Sequence, residues 1–283
     1  MNLSEAIDRI RPSIVQITFF ASSFSDEVRR RLGRPFVKAP LGTGFFVHRD
    51  GYVVTANHVI ELGNRLSRQM EAQEKRMQIG MALTNSGNMR GNFSMIDFDL
   101  AVSDARHDIA LLRLRNNPFR GEVHSGIVIG DREVPLAFGL PDLDSGRPKE
   151  GASVGISGYP LSESVLVTNS GHIASVWSYD VAEMPVPGAP EWFRMPDIAD
   201  TYLVDSEVNP GNSGGPVYLV ESAEIIGVCV ATKPAPVRDE QGNPVSINET
   251  KLYYSSGLTV VIPSRYVIRL IEQQTQEPSP QTV

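Results

Sequence analysis

An all-β fold, a sandwich or a barrel, is what this chain predicts, and three observations predict it. Most of the 283 residues fall into short runs rich in β-branched and aromatic side chains, cut by turn residues. Arg49-Asp50-Gly51 separates two of these runs, 44–48 and 52–55, as a hairpin turn would. Apolar residues at helical spacing are confined to the two ends and one internal segment.

Taken in order, Leu3, Ala6, Ile7 and Ile10 share one helical face, with Ser4 as the expected cap and Pro12 as the stop. Strands are expected at 14–20, 44–48, 52–55, 78–83, 94–102, 109–114, 153–157, 165–169, 172–176, 202–204, 215–220, 225–231 and 258–262. Residues 61–76 are polar, with Leu66, Met70 and Met77 near helical spacing, and read as an inserted surface helix. Two segments read as loops: 183–190, with three prolines and a glycine, and 233–250, with Pro234, Pro236, Gly242 and Pro244. Pro263-Ser264 starts a last helix with Val267, Leu270 and Ile271 on one face. From Glu277 on, a Pro/Gln/Ser/Thr-rich end is expected to be disordered. There is no internal repeat and no long linker.

Composition excludes several classes. Twenty-six Lys and Arg against 33 Asp and Glu leave a net charge of −7, with no general attraction to nucleic acid or anionic membranes. No stretch approaches the roughly 18 apolar residues of a membrane span. Cys229 is the single cysteine, so neither an intrachain disulfide nor a cysteine-based zinc site can form. That cysteine usage, and an amino terminus without the basic start and apolar stretch of a secretory leader, give a cytoplasmic expectation.

Ser213 stands in Asn209-Pro210-Gly211-Asn212-Ser213-Gly214-Gly215-Pro216, where flanking glycines can expose its hydroxyl on a tight turn and place backbone N–H groups beside it. Serine is a weak nucleophile and needs a base, usually histidine. All five histidines (His48, His58, His107, His124 and His172) precede it. An α/β-hydrolase, which runs serine, acid, histidine, therefore lacks its base. His58, at the end of an apolar run, is the best candidate, and a core histidine is its bland alternative. His107 adjoins Asp108 and would point the other way if Asp108 points inward on a strand. His48 belongs to a hairpin turn. Asp108, where a polar segment meets Ile109-Ala110-Leu111-Leu112, is either a turn residue or the group that orients His58. The order His58, Asp108, Ser213 is one of the known triad orders.

Four segments carry a resemblance: Gly42-Thr43-Gly44-Phe45-Phe46-Val47, Thr55-Ala56-Asn57-His58-Val59, His107-Asp108-Ile109-Ala110-Leu111 and the serine segment. Together they resemble trypsin-like serine peptidases, most closely the HtrA/Deg type. Gly155-Ile156-Ser157-Gly158-Tyr159-Pro160, Ser170-Gly171-His172-Ile173 and Val261-Ile262-Pro263-Ser264 extend the likeness over roughly residues 5 to 273. The resemblance implies two six-stranded antiparallel barrels with the site between them. The first, with the N-terminal helix, would occupy 1–125, and the second, with the C-terminal helix, 126–273, followed by a tail at 274–283. It implies a serine endopeptidase acting on unfolded or flexible polypeptides, with His58, Asp108 and Ser213 as triad and Gly211 and Ser213 as oxyanion-hole donors. It implies no metal and no cofactor. Asn212 replaces the aspartate that pairs with a freshly cut amino terminus, which implies activity without proteolytic activation. The peptide-binding PDZ module typical of the type is not expected in this chain. Six residues before the nucleophile, Glu207 would form the floor of the primary pocket and favour Lys or Arg if turned inward, or be solvated if turned outward. Val230 and Ala231 would line the strand that pairs with substrate backbone. A silent peptide-binding module and an acyl esterase remain as alternatives. Oligomeric state is left open.

Overall fold

Alternation of buried and exposed side chains gives way, in this chain, to strands buried along most of their length, and strands of that kind need cover on both faces. A closed barrel packed against a second barrel supplies it. The computed structural model describes residues 1–82, 93–123, 126–129, 132–136, 138–162, 165–178 and 200–276. The elements are α1 (Leu3–Ile10, running into a 3-10 turn Arg11–Ser13), β1 (Ile14–Ser22), α2 (Asp26–Leu32), β2 (Phe36–His48), β3 (Tyr52–Ala56), α3 (Asn57–Gln69), β4 (Glu74–Ala82), β5 (Phe93–Asp104) and β6 (Ile109–Leu114). A small hairpin follows, β7 (Gly126–Ile129) and β8 (Arg132–Pro135). Then come β9 (Ser153–Gly158), β10 (Val167–Ser178), β11 (Asp200–Val204), β12 (Pro216–Leu219), β13 (Ile225–Pro236), β14 (Ser246–Ile247), β15 (Thr250–Lys251), β16 (Tyr253–Pro263) and α4 (Ser264–Gln276).

Two closed antiparallel barrels of six strands result. The first runs β1-β2-β3-β6-β5-β4 and the second β10-β11-β16-β13-β12-β9. Phe19, Phe45, Phe46, Ile17, Ile79 and Met81 fill the first without exposure, and Val154, Ile156, Tyr202, Val217 and Val261 fill the second. Phe45, paired across to Ile14 and Val54, leaves no room for collapse around a shortened side chain. Phe45→Ala is expected to cost about 3–5 kcal/mol, read from the denaturant midpoint at unchanged slope.

The helices tie the barrels together. Ahead of α1 the Met1 ammonium donates to the Glu221 carbonyl, and from α1 Arg9 reaches the Ser222 carbonyl and Asp142, so the amino terminus packs beside the second barrel. Its cap is Asn2 and not Ser4: the Asn2 side chain accepts from Glu5 N–H while Glu5 accepts from Asn2 N–H, a capping box that Ser4 could not make two positions later. α4 buries Val267 and Leu270.

Several sequence expectations shift. The helix expected at 61–76 is α3, which starts earlier, at Asn57, and yields to β4 at Glu74. His58 therefore lies in the first turn of a helix and not at a strand end. The runs 165–169 and 172–176 are one strand, β10, with an irregularity between Ile173 and Ser175. The loop expected at 233–250 holds only in part: 237–245 lies outside any strand, but β13 continues through Pro234 and Pro236, which pair with Ser255 and Tyr253, and β14–β15 form a short hairpin beyond it. Only two strands meet there, so each has an open side on which a proline breaks no ladder. α2, which lacks a regular apolar face, was not expected; Ser25 caps it and Gly33, at φ 66°, ends it. The loop expected at 183–190 and the tail from 277 lie outside the described residues.

Candidate active site

Strand register brings the first two groups together. β3 and β6 pair Thr55 with Ala110 and Ala56 with Ile109. The residues just past those ends, Asn57 and His58 on one strand and Asp108 on the other, must then be neighbours. Asn57 N–H donates to the Asp108 carbonyl (3.0 Å), His58 N–H to Asp108 Oδ1 (2.8 Å), and His58 Nδ1 stands 2.6 Å from Asp108 Oδ2. Both carboxylate oxygens are thus used by one residue. Asp108 adopts φ 49°, a left-handed conformation that Asp tolerates better than most. Its side chain is 13% exposed while that of His58 is 43% exposed, so the acid is covered and the ring opens outward.

His107 forms a second couple of the same shape, its Nδ1 2.6 Å from Asp104 Oδ2 and its N–H on Asp104 Oδ1. This ring is covered: it stacks on Tyr266 of α4 at 3.8 Å between centroids. It stands in a turn and not, as expected, on an alternating strand. His48 is occupied in its hairpin turn, accepting from Asp50 N–H, and His172 lies beside Asp205. His124 is outside the described residues.

The serine loop prolongs the β12–β13 ladder. Gly214 N–H donates to the Cys229 carbonyl and Cys229 N–H to the Gly215 carbonyl, while Asn212 N–H turns back onto the Asn209 carbonyl. Gly211 takes φ 105°, and a Cβ there would lie 2.4 Å from the Tyr159 carbonyl oxygen. Gly214 takes φ 85°, and a Cβ there would lie 2.1 Å from the Thr43 carbonyl oxygen and 2.8 Å from Ala56 N. That contact presses the loop against the end of β3, two residues before His58. Ser213 N–H and Gly211 N–H donate to no acceptor among the described residues. Ser213 is half-buried, its carbonyl accepts from Thr43 N–H (2.9 Å), and no hydrogen bond joins its Oγ to the His58 ring in this structure.

Of the remaining expected residues, Glu207 is exposed, its carbonyl held by Asn169 Nδ2. Val230 is buried and Ala231 half-buried, and the β13–β16 register slips between Cys229 and Ala231. Cys229 is buried, and burial pushes its thiol up to about 12, which suits a core residue and not a nucleophile. Thr43 was passed over in the sequence, although it too stands between glycines; it touches the serine loop at two carbonyls. Among the described residues no three His, Cys, Asp or Glu side chains converge as a metal site would require, and no helix is long and apolar enough to cross a membrane.

Comparison with known proteins agrees with this fold. Proteins named "Probable periplasmic serine endoprotease DegP-like" match from Brucella suis biovar 1 (strain 1330), 28% identical over 200 residues, and from Ectopseudomonas mendocina (strain ymp), 27% identical over 218. The matches cover 70% and 74% of this chain but 29% and 33% of those relatives, so the chain spans about a third of their length. The solved structure "HtrA-type protease AlgW with decapeptide" shares the fold, with a TM-score of 0.59 at 16% identity over 98% of this chain and 68% of that one. The relatives' names place them in the periplasm, which overturns the cytoplasmic expectation. The lone cysteine misled because two barrels with this much buried apolar surface need no disulfide in any compartment. The trypsin-like peptidase domain model matches residues 42–228, a span that runs from the glycine-flanked Thr43 through His58 and Asp108 to the serine loop, and by that match over more than half its length this chain belongs to the trypsin-like peptidase family.

Proposed function

We propose that this chain is a serine endopeptidase in which Ser213 is the nucleophile, His58 the general base and Asp108 the group that orients the base. The observation that carries the reading is the asymmetry of the His58–Asp108 pair. The covered carboxylate accepts at Nδ1, which places the ring proton there and leaves the Nε2 lone pair on the open edge. Nε2 takes the Ser213 proton as Oγ bonds to the substrate carbonyl carbon, and returns it to the leaving amine. Water repeats the sequence on the acyl-enzyme. The oxyanion meets the N–H groups of Gly211 and Ser213, backbone donors with no acceptor among the described residues.

Flexible polypeptides are the substrate class that fits. β13 beyond Cys229, with Val230 and Ala231, is laddered to β16 and no longer to β12, leaving a side on which an extended backbone can pair. A relative of the same fold was solved with a decapeptide. Exposed Glu207 fits the solvated reading, with no charge selection at its position. The test is labelling with a fluorophosphonate probe, which modifies an activated serine. Modification of wild type but not of Ser213→Ala is expected. A folded wild type that stays unmodified, or an equally modified Ser213→Ala, sinks the proposal; turnover of small esters without casein cleavage would make the chain an esterase.

A further inference from the structure

We infer that Thr43, on β2 of the first barrel, is the positioning residue that holds the oxyanion donors of the second. The inference rests on the reading of Ser213 as nucleophile. Two peptide planes meet at the Gly211 Cα, and each is held by its carbonyl. Leu161 N–H donates to the Pro210 carbonyl (2.7 Å), and Thr43 Oγ1 donates to the Gly211 carbonyl (2.7 Å). In a trans peptide the N–H points opposite to the carbonyl of its own plane, so fixing the Pro210 carbonyl aims Gly211 N–H. Fixing the Gly211 carbonyl then removes the other rotation at this residue. Glycine restricts neither angle by itself, so without the Thr43 bond this second plane is held only from within the turn, by Asn212 N–H on the Asn209 carbonyl (3.0 Å).

Among the described residues, no side chain of the loop itself adds to this hold. The Asn212 side chain is fully buried, yet neither its Oδ1 nor its Nδ2 finds a hydrogen-bond partner among the described residues. The loop has no polar side-chain anchor of its own. Thr43 holds it from outside at two points, the hydroxyl on the Gly211 carbonyl and the backbone N–H on the Ser213 carbonyl (2.9 Å). The hydroxyl is itself oriented: Oγ1 accepts from Tyr159 N–H (2.9 Å), which commits its proton to Gly211. The Thr43 carbonyl accepts from Thr55 Oγ1 (2.6 Å), fixing β2 to β3, the strand that leads to His58. Thr43 is completely buried, so no water substitutes for the hydroxyl in place. One threonine thereby registers the donors of the second barrel against the base of the first.

The test measures fluorophosphonate inactivation rates and their pH dependence in wild type, Thr43→Ser, Thr43→Cys and Thr43→Val. The rate is expected to follow donor strength. Thr43→Ser stays near wild type, Thr43→Cys falls below it, and Thr43→Val loses about 10²-fold, the scale of one oxyanion donor. The midpoint of the pH profile, which reports the base, is expected not to move in any variant. A structural role alone would not spare the pH midpoint while ranking rates by donor strength. A folded Thr43→Val reacting at wild-type rate, or a shifted midpoint, overturns the inference. Should Thr43→Val not fold, Thr43→Cys reacting like wild type overturns it equally. If wild type itself does not react, the nucleophile reading has failed; if wild type reacts and the variants match it, only the role of Thr43 has.

Discussion

His58→Ala is expected to lower peptide-bond turnover on the order of 10⁶-fold, the scale seen when a serine hydrolase loses its base, while both barrels stay folded. The loss is large because the serine hydroxyl then has no acceptor for its proton. Folding is spared because the pair is asymmetric. Asp108 Oδ1 accepts from the backbone N–H at position 58, and Asn57 N–H holds the Asp108 carbonyl; neither bond involves the imidazole. The carboxylate loses one partner of two and gains access to water where the ring stood. The measurements are casein turnover and the thermal midpoint, with His107→Ala alongside. The His107 ring stacks on Tyr266 and faces no free hydroxyl of the serine loop, so its removal should cost stability and leave most of the turnover. A His58→Ala enzyme keeping more than a few per cent of activity, or an inactive but folded His107→Ala, would show that the base has been assigned to the wrong ring.

How much of this was legible in the sequence depends on whether the information was local. The Arg49-Asp50-Gly51 hairpin and the strand at 109–114 were readable because turn chemistry and apolar runs are local signals, and β2, β3 and β6 are placed accordingly. The order of His58, Asp108 and Ser213 was readable from spacing and from the absence of any later histidine. The start of α3 was not: Thr55-Ala56-Asn57-His58-Val59-Ile60 carries no proline, glycine or capping serine to mark a new element, and the turn into helix comes only where β3 runs out of partners beyond Ala56. The strand residues at 233–236 were misread for the same reason. Four turn-forming residues argue for a loop locally, and only pairing with Tyr253 and Ser255 makes 233–236 a strand. Thr43 was hidden more deeply, since its role depends on two carbonyls about 170 residues away, and a glycine-flanked threonine looks like any turn.

Asp108→Asn is expected to lower kcat by roughly 10⁴, with little loss of stability. The reason lies in which oxygen does what. Asp108 Oδ1 accepts from the His58 backbone N–H and Oδ2 accepts from Nδ1. An asparagine has one acceptor and one donor to put in these places. The backbone N–H can only donate, so the amide oxygen must face it and the NH₂ group must face Nδ1. A donor at Nδ1 requires that nitrogen to be unprotonated, which moves the ring proton to Nε2. There it points at the serine hydroxyl and cannot receive the hydroxyl's proton. The alternative flip sets NH₂ against the backbone N–H and buries two donors face to face, which costs more than the wrong tautomer saves. Asparagine tolerates the left-handed φ of 49° as well as aspartate does, so the turn that precedes β6 has no reason to change. The check is the kcat of folded Asp108→Asn on a peptide substrate. A loss below about tenfold would mean that the carboxylate does not set the proton's position, since a tautomer that is wrong in most molecules must cost more than that.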